Sequence, residues 1–294
     1  MHRITWITLL IACGKSSVTE PAPDASADAP PAGYTQLIGR AWGLPAGANI
    51  YKCMRVTAVE NMYITSFVAH APAGTHHSVL SFAGTNNTGG PDGEYDCTST
   101  AIGMNMLYAS GVGTAPLDFP AGVAIKIAAG QQLHLNLHLL NTGDEPLQGE
   151  SSVWVKAQTP PPTTLAEMVF AGPIAIEIPA TNEPYPVSGE CTATAPYSLF
   201  AVWPHMHRLA TKQTVELVRD GAATVLHDRA YNFEEQSYYP AQAEVQTGDH
   251  IRVTCTYVNN TGSIVTYGDG PSSEMCFAGL YRYPAAGSNQ YCAE

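Results

Sequence analysis

The stretch QQLHLNLHLL, residues 131–140, alternates apolar and polar side chains without a break from Leu133 to Leu139. Leu133, Leu135, Leu137 and Leu139 fall on one face, and His134, Asn136 and His138 on the other. A period of two belongs to a half-buried β-strand, because successive side chains of an extended backbone point to opposite sides. SSVWVKAQ (151–158), TVELVRDG (214–221), HIRVTCTYV (250–258) and AGLYRYP (278–284) have a similar β-rich composition and turn-forming boundaries. The 26 glycines and 22 prolines supply turns, and no long segment carries a helical period. The fold class is therefore expected to be all-β, built of sandwiches or barrels. TPPPTT (159–164) marks a boundary, since three consecutive prolines cannot pair inside a central strand. It divides the folded part into two β domains, 34–158 and 165–294.

The same alternation constrains the chemistry. His134 and His138 share a face but lie about 13 Å apart along it, so at most one of them joins a given metal site. His76 and His77, in GTHHSVL (74–80), would point to opposite faces of a regular strand. Both can reach one ion only if the backbone is irregular there, as at a bulge or strand end, and the preceding Gly74 and Thr75 allow that. The plainer reading is one core imidazole and one solvated one. In AVWPHMHRLA (201–210), His205 and His207 point the same way, about 7 Å apart at the backbone, while Met206 points to the opposite side and belongs to the core. A surface pair on a polar strand face is the alternative. Met275, in SSEMCF (272–277), is either core filler or a ligand, and a thioether makes sense as a ligand only for a soft ion, which favours copper over zinc. His70, His227 and His250 lack a patterned neighbour and read as ordinary surface or loop residues.

The 294 residues suit one large all-β domain or two of ordinary size, and a hydrophobic content of 45% is enough for a real core. A net charge of −12 argues against binding nucleic acid or an anionic membrane surface by electrostatics. The N-terminus has His2 and Arg3, then a nearly wholly apolar run from Ile4 to Ala12 that is too short to span a bilayer but has the layout of a secretion signal. Leu10-Ile11-Ala12-Cys13 resembles a bacterial lipobox, so residues 1–12 are expected to be removed and Cys13 lipidated. Residues 13–33, rich in Pro, Ala, Ser and Asp, would form an extended linker to the membrane. Seven cysteines are awkward in an exported protein; with Cys13 assigned to lipid, six remain for three disulfides in an oxidising cell envelope. Spacing leaves their pairing open, and no C-x-x-C occurs.

The ordered set HH (76–77), HLLN (138–141), HMH (205–207) and SSEMC (272–276), spread over two β domains, resembles the copper type II, ascorbate-dependent monooxygenases, the family of peptidylglycine α-hydroxylating monooxygenase and dopamine β-monooxygenase. YKCMRV (51–56), YNFEEQSYYP (231–240) and GDHIRVTCTYVNNTG (248–262) extend the likeness over residues 45–294. The resemblance implies two tandem β-sandwich, jelly-roll-like domains with a cleft between them. It implies that His76, His77 and His138 hold one copper and that His205, His207 and Met275 hold a second, where oxygen binds and a C–H bond is attacked; His134 is not a ligand. The two coppers would face each other across a solvent-filled gap, reduced by ascorbate or a similar one-electron donor. The resemblance also implies disulfides Cys53–Cys97, Cys191–Cys292 and Cys255–Cys276. Where the peptide-amidating members grip a substrate carboxylate, this chain has Trp203, Phe277 and Gly279, so an uncharged, apolar or aromatic small substrate is expected, with Trp203 and Phe277 as candidate pocket residues. Arg208 nearby reads as a solvated charge or a cap.

These residues favour an exported, lipid-anchored copper monooxygenase acting on a small molecule and O2, expected to be a monomer with no nucleic-acid partner. The alternative is a non-enzymatic copper-binding or ligand-binding lipoprotein on the same scaffold. A zinc hydrolase is disfavoured by Met275 and by the lack of a G-x-S-x-G motif.

Overall fold

The leucine face of Gln132–Leu140 buries completely: Leu133 is 1% exposed, and Leu135, Leu137 and Leu139 are 0% exposed. Burial of each contributes about 1.5–3 kcal/mol, which pins the strand's register. The computed structural model describes residues 31–82, 89–99, 105–111, 113–233, 237–268, 270, 272–287 and 291–292, and they contain β-strands and no helix. The signal run, Cys13 and nearly all of the linker lie outside the described residues.

Gln132–Leu140 is the central strand of a five-stranded sheet, in the order Gly93–Cys97, Asn49–Thr57, Gln132–Leu140, Thr75–Phe82, Asn105–Gly111. A second sheet runs Thr35–Leu44, Leu147–Ala157, Met62–His70, Val123–Ile127, Thr164–Leu165. The two meet face to face, with Ile38, Phe67, Val153 and Val155 of the second sheet against Leu80 and the four leucines of the first in one apolar cluster.

The later strands repeat the plan. One sheet runs Tyr239–Val245, Tyr197–Met206, Cys276–Tyr283, Glu167–Ala171, Tyr291–Cys292, and the other Pro184–Thr192, His250–Val258, Ala210–Arg219, Ala222–Ala230. Val169, Val202 and Leu280 of one pack against Val215, Ile251 and Val253 of the other. A short pair, Glu177–Ile178 with Val265–Thr266, stands apart. Residues 158–163 form no strand; Thr164–Leu165 still pairs with Val123–Ile127, and the next strand, Glu167–Ala171, joins the later sheets.

The strand Tyr197–Met206 is buried on both sides. Val202 and Met206 face the later core, while Ala201, Trp203 and the neighbouring Phe170, Phe277 and Tyr281 join the apolar cluster of the earlier sheets. The Tyr281 hydroxyl donates to the Leu107 carbonyl across this contact at 3.1 Å. All three disulfides implied by the resemblance are present: Cys53–Cys97, Cys191–Cys292 and Cys255–Cys276.

Replacing Leu135 by Ala leaves a cavity at the centre of the first sandwich. The expected cost is about 2–5 kcal/mol, seen as a lower urea midpoint with an unchanged slope.

Candidate metal centres

Thr75 pairs with Leu139 and His77 with His138, and the register shifts between these two rungs. His76 is the extra residue, so a bulge turns adjacent histidines toward the same side. The entry is tight. Gly74 has φ +101°, and a side chain there would strike the Trp42 ring. The result gathers His76, His77 and His138, with one nitrogen of each within 4.8 Å of the others. The Nδ1 atoms of His76 and His77 are 2.9 Å apart. Two nitrogens sharing one ion at bonds of about 2.0 Å keep roughly this spacing.

The surroundings orient these rings. His138 Nε2–H donates to Asn49 Oδ1 at 2.7 Å, which makes Nδ1 the imine nitrogen. Tyr51 stacks on His138 with centroids 4.5 Å apart and planes 6° apart. His77 is held well below the ordinary histidine pKa, first by burial and then by His138, His76, His205 and His207. A neutral imidazole is the form that binds a metal. His134 stands away from the group as expected: its Nε2 and the Tyr95 hydroxyl are 2.7 Å apart, and burial lowers its pKa to about 4.

The second group forms where Tyr197–Met206 meets Cys276–Tyr283. The rings of His205 and His207 are 5.7 Å apart, and Trp203 stacks on His205 at 4.9 Å. Burial and His207 push the pKa of His205 down to about 3. His207 Nδ1–H donates to the Ser273 carbonyl at 2.7 Å, leaving Nε2 as the lone-pair nitrogen. The ladder pairs His205 with Phe277 and Met206 with Cys276, so the next positions along the two chains are His207 and Met275. Met206 and Cys276 belong to the later core, whereas Trp203, Phe277 and the half-buried Met275 pack with the earlier one. Met275 therefore shares the face of His205 and His207. The Cys255–Cys276 bridge and a 2.7 Å hydrogen bond from the Tyr257 hydroxyl to the Met275 carbonyl fix the backbone there.

The charges of His205 and His207 add a small downward push to the pKa of His77. Phe233 reaches from the later sheets to His76, with ring centroids 5.7 Å apart, and the exposed Arg208 guanidinium lies over Phe233 at 5.5 Å. No alternation pattern in the sequence pointed to Phe233, Tyr51 or Asn49, because each acts through a partner distant in the chain.

Two expectations need correction. Trp203 and Phe277 are 1% and 2% exposed, so they are core residues rather than walls of an open pocket. Trp203 pairs with Gly279, and a Cβ on Gly279 would lie 2.2 Å from Met168 Cε and 3.3 Å from the Trp203 ring. The Met168 methyl thus occupies the space that a larger residue at 279 would need, with the indole packed close beside it. His227 is not a surface residue; it is 5% exposed, beside Tyr239, and burial lowers its pKa to about 4.

The donor sets fit copper: three imidazoles in one group, and two imidazoles with a thioether in the other, where the thioether favours the soft Cu(I) state. The fold and these groups define an all-β protein with two histidine-rich candidate metal centres. Residues 164–294 match the family described as copper type II ascorbate-dependent monooxygenase, C-terminal domain. A human protein named "Putative DBH-like monooxygenase protein 2" is 28% identical over 237 residues, covering 71% of this chain and 47% of that protein. The chain thus spans about half the length of the curated relative it matches. Capsid structures of infectious bursal disease virus align at TM-scores of 0.23 and 0.21 with 8% and 9% identity, covering 87% and 89% of this chain and 71% and 75% of theirs; likeness at that level carries no argument. The likeness to the copper type II ascorbate-dependent monooxygenases thus rests on residues 164–294 and on this distant relative.

His134 and His227 have pKa values near 4 in the fold against an ordinary 6.5. Between those values the unfolded chain binds protons that the native state refuses, so stability falls as pH drops from about 6.5 to about 4. Chelator-treated protein should show this fall in urea titrations, and His227→Gln should make it shallower.

Proposed function

We propose that this protein is a copper-dependent monooxygenase with two separate mononuclear sites. In this reading His76, His77 and His138 hold one copper, and His205, His207 and Met275 hold the other. The observation that carries it is the bulge at His76, which gathers three histidines within reach of one ion. Bound copper would supply the one-electron chemistry by which O2 and an ascorbate-like donor hydroxylate an activated C–H bond, one oxygen atom entering product and the other leaving as water.

The protein's own groups have defined tasks. The Asn49 carbonyl holds His138 in the tautomer that presents Nδ1, and the Ser273 carbonyl holds His207 in the tautomer that presents Nε2. Trp203 backs the His205 ring and limits its rotation. The region where the amidating members carry a carboxylate grip is here filled by Trp203 and Phe277, which supports a substrate without that charge.

The three disulfides point to an exported protein, and among the described residues no helix is long and apolar enough to cross a membrane. We read Cys13 as the lipidated residue of a cell-envelope lipoprotein acting as a monomer. The buried state of Trp203 and Phe277 favours, as a second reading, copper binding without turnover.

Copper analysis should find two ions per chain. His76→Ala and His205→Ala should each remove one, and His205→Ala should abolish ascorbate- and substrate-dependent oxygen uptake. Two tightly bound coppers with no oxygen uptake across a broad panel of apolar and aromatic substrates would favour the second reading; one or none would overturn the proposal.

A further inference from the structure

The ladder between Tyr197–Met206 and Cys276–Tyr283 ends at the rung Met206–Cys276. His207 and Met275 both lie one residue past that rung, where strand pairing no longer holds the two chains in register. Besides the Cys255–Cys276 bridge and the bonds from Tyr257 and His207, the two chains are joined there by the side chain of Glu274, which is 1% exposed. One carboxylate oxygen accepts from the His207 backbone N–H at 2.9 Å, and the other accepts from the Leu209 N–H at 2.7 Å. Its own N–H donates to the Thr266 carbonyl at 3.0 Å, which anchors it from behind. The carboxylate therefore takes the place of the missing rungs.

We infer that Glu274 is the positioning residue of the second centre, tying the backbone beyond the H-x-H strand to the residue before Met275 so that the thioether stands on the same side as His205 and His207. The inference rests on the reading of Met275 as a copper ligand. Both oxygens are needed, because two N–H donors diverge from one side chain. Gln offers one acceptor oxygen and turns an NH2 toward the other N–H, so at best one bond survives and two donors oppose each other. Asp is one methylene shorter and does not span both donors from the same backbone. Ala leaves two N–H groups without their acceptor.

The test is copper-edge X-ray absorption on ascorbate-reduced, copper-loaded protein, with Cu(I) affinities measured by competition with a chromophoric chelator. The wild type should show a sulfur ligand at one of its two coppers. Glu274→Gln should lose that sulfur contribution, keep its nitrogen ligands, and weaken Cu(I) at one site about 10–100-fold, while the other site is unchanged. Met275→Leu gives the sulfur-free reference spectrum. A sulfur ligand and affinity retained within twofold in Glu274→Gln would overturn the inference while leaving the Met275 assignment intact. Loss of copper from both sites would also overturn it, since Glu274 would then be a general support of the fold. A wild-type spectrum without sulfur would overturn the Met275 assignment, and the inference with it.

Discussion

The antiparallel rung between His77 and His138 is the contact on which the arrangement depends. It exists because the leucines of Gln132–Leu140 must all face one way, which commits Asn136 and the two histidines to the other face. A slip of one residue would turn His138 into the apolar cluster and the four leucines toward the face that carries the histidines. The bulge at His76, where the pairing register shifts, then adds a third imidazole to the same side. Hydrophobic burial, not metal affinity, thus sets where the first group of nitrogens stands.

The second group is built on a different principle. His205 and His207 follow the ordinary pleat, and Met275, the proposed third donor, lies just before the neighbouring strand, at the point where the ladder stops. Side chains and carbonyls replace the ladder there: the Glu274 carboxylate, the Ser273 carbonyl and the Tyr257 hydroxyl. The disulfide from Cys276 to Cys255 ties the same segment to the strand beneath it. Such a site has fewer backbone constraints than the first and depends more on single polar side chains.

Alternation alone revealed the all-β class, that His134 and His138 cannot share one site, the irregular backbone needed at His76 and the inward Met206. Each follows from the two-residue period and needs no knowledge of pairing. That His134 is the one left out came from the family likeness. The disulfides were legible only through the family likeness, since spacing leaves them open. What escaped were partners brought in by register: Asn49 and Tyr51 at His138, Phe233 at His76, and Glu274 at His207. SSEMC did carry a signal for Glu274, a carboxylate between two serines and a Met-Cys pair. Trp203 and Phe277 were misjudged because a large residue opposite Gly279 or opposite His205 reads equally well as pocket wall or as filler until its burial is known.

The most direct test of the two-centre account is an anomalous difference map collected at the copper edge from crystals of the copper-loaded protein. The account predicts two peaks per chain, one among His76, His77 and His138 and the other among His205, His207 and Met275. A single peak, or copper bound away from either set of side chains, would contradict it.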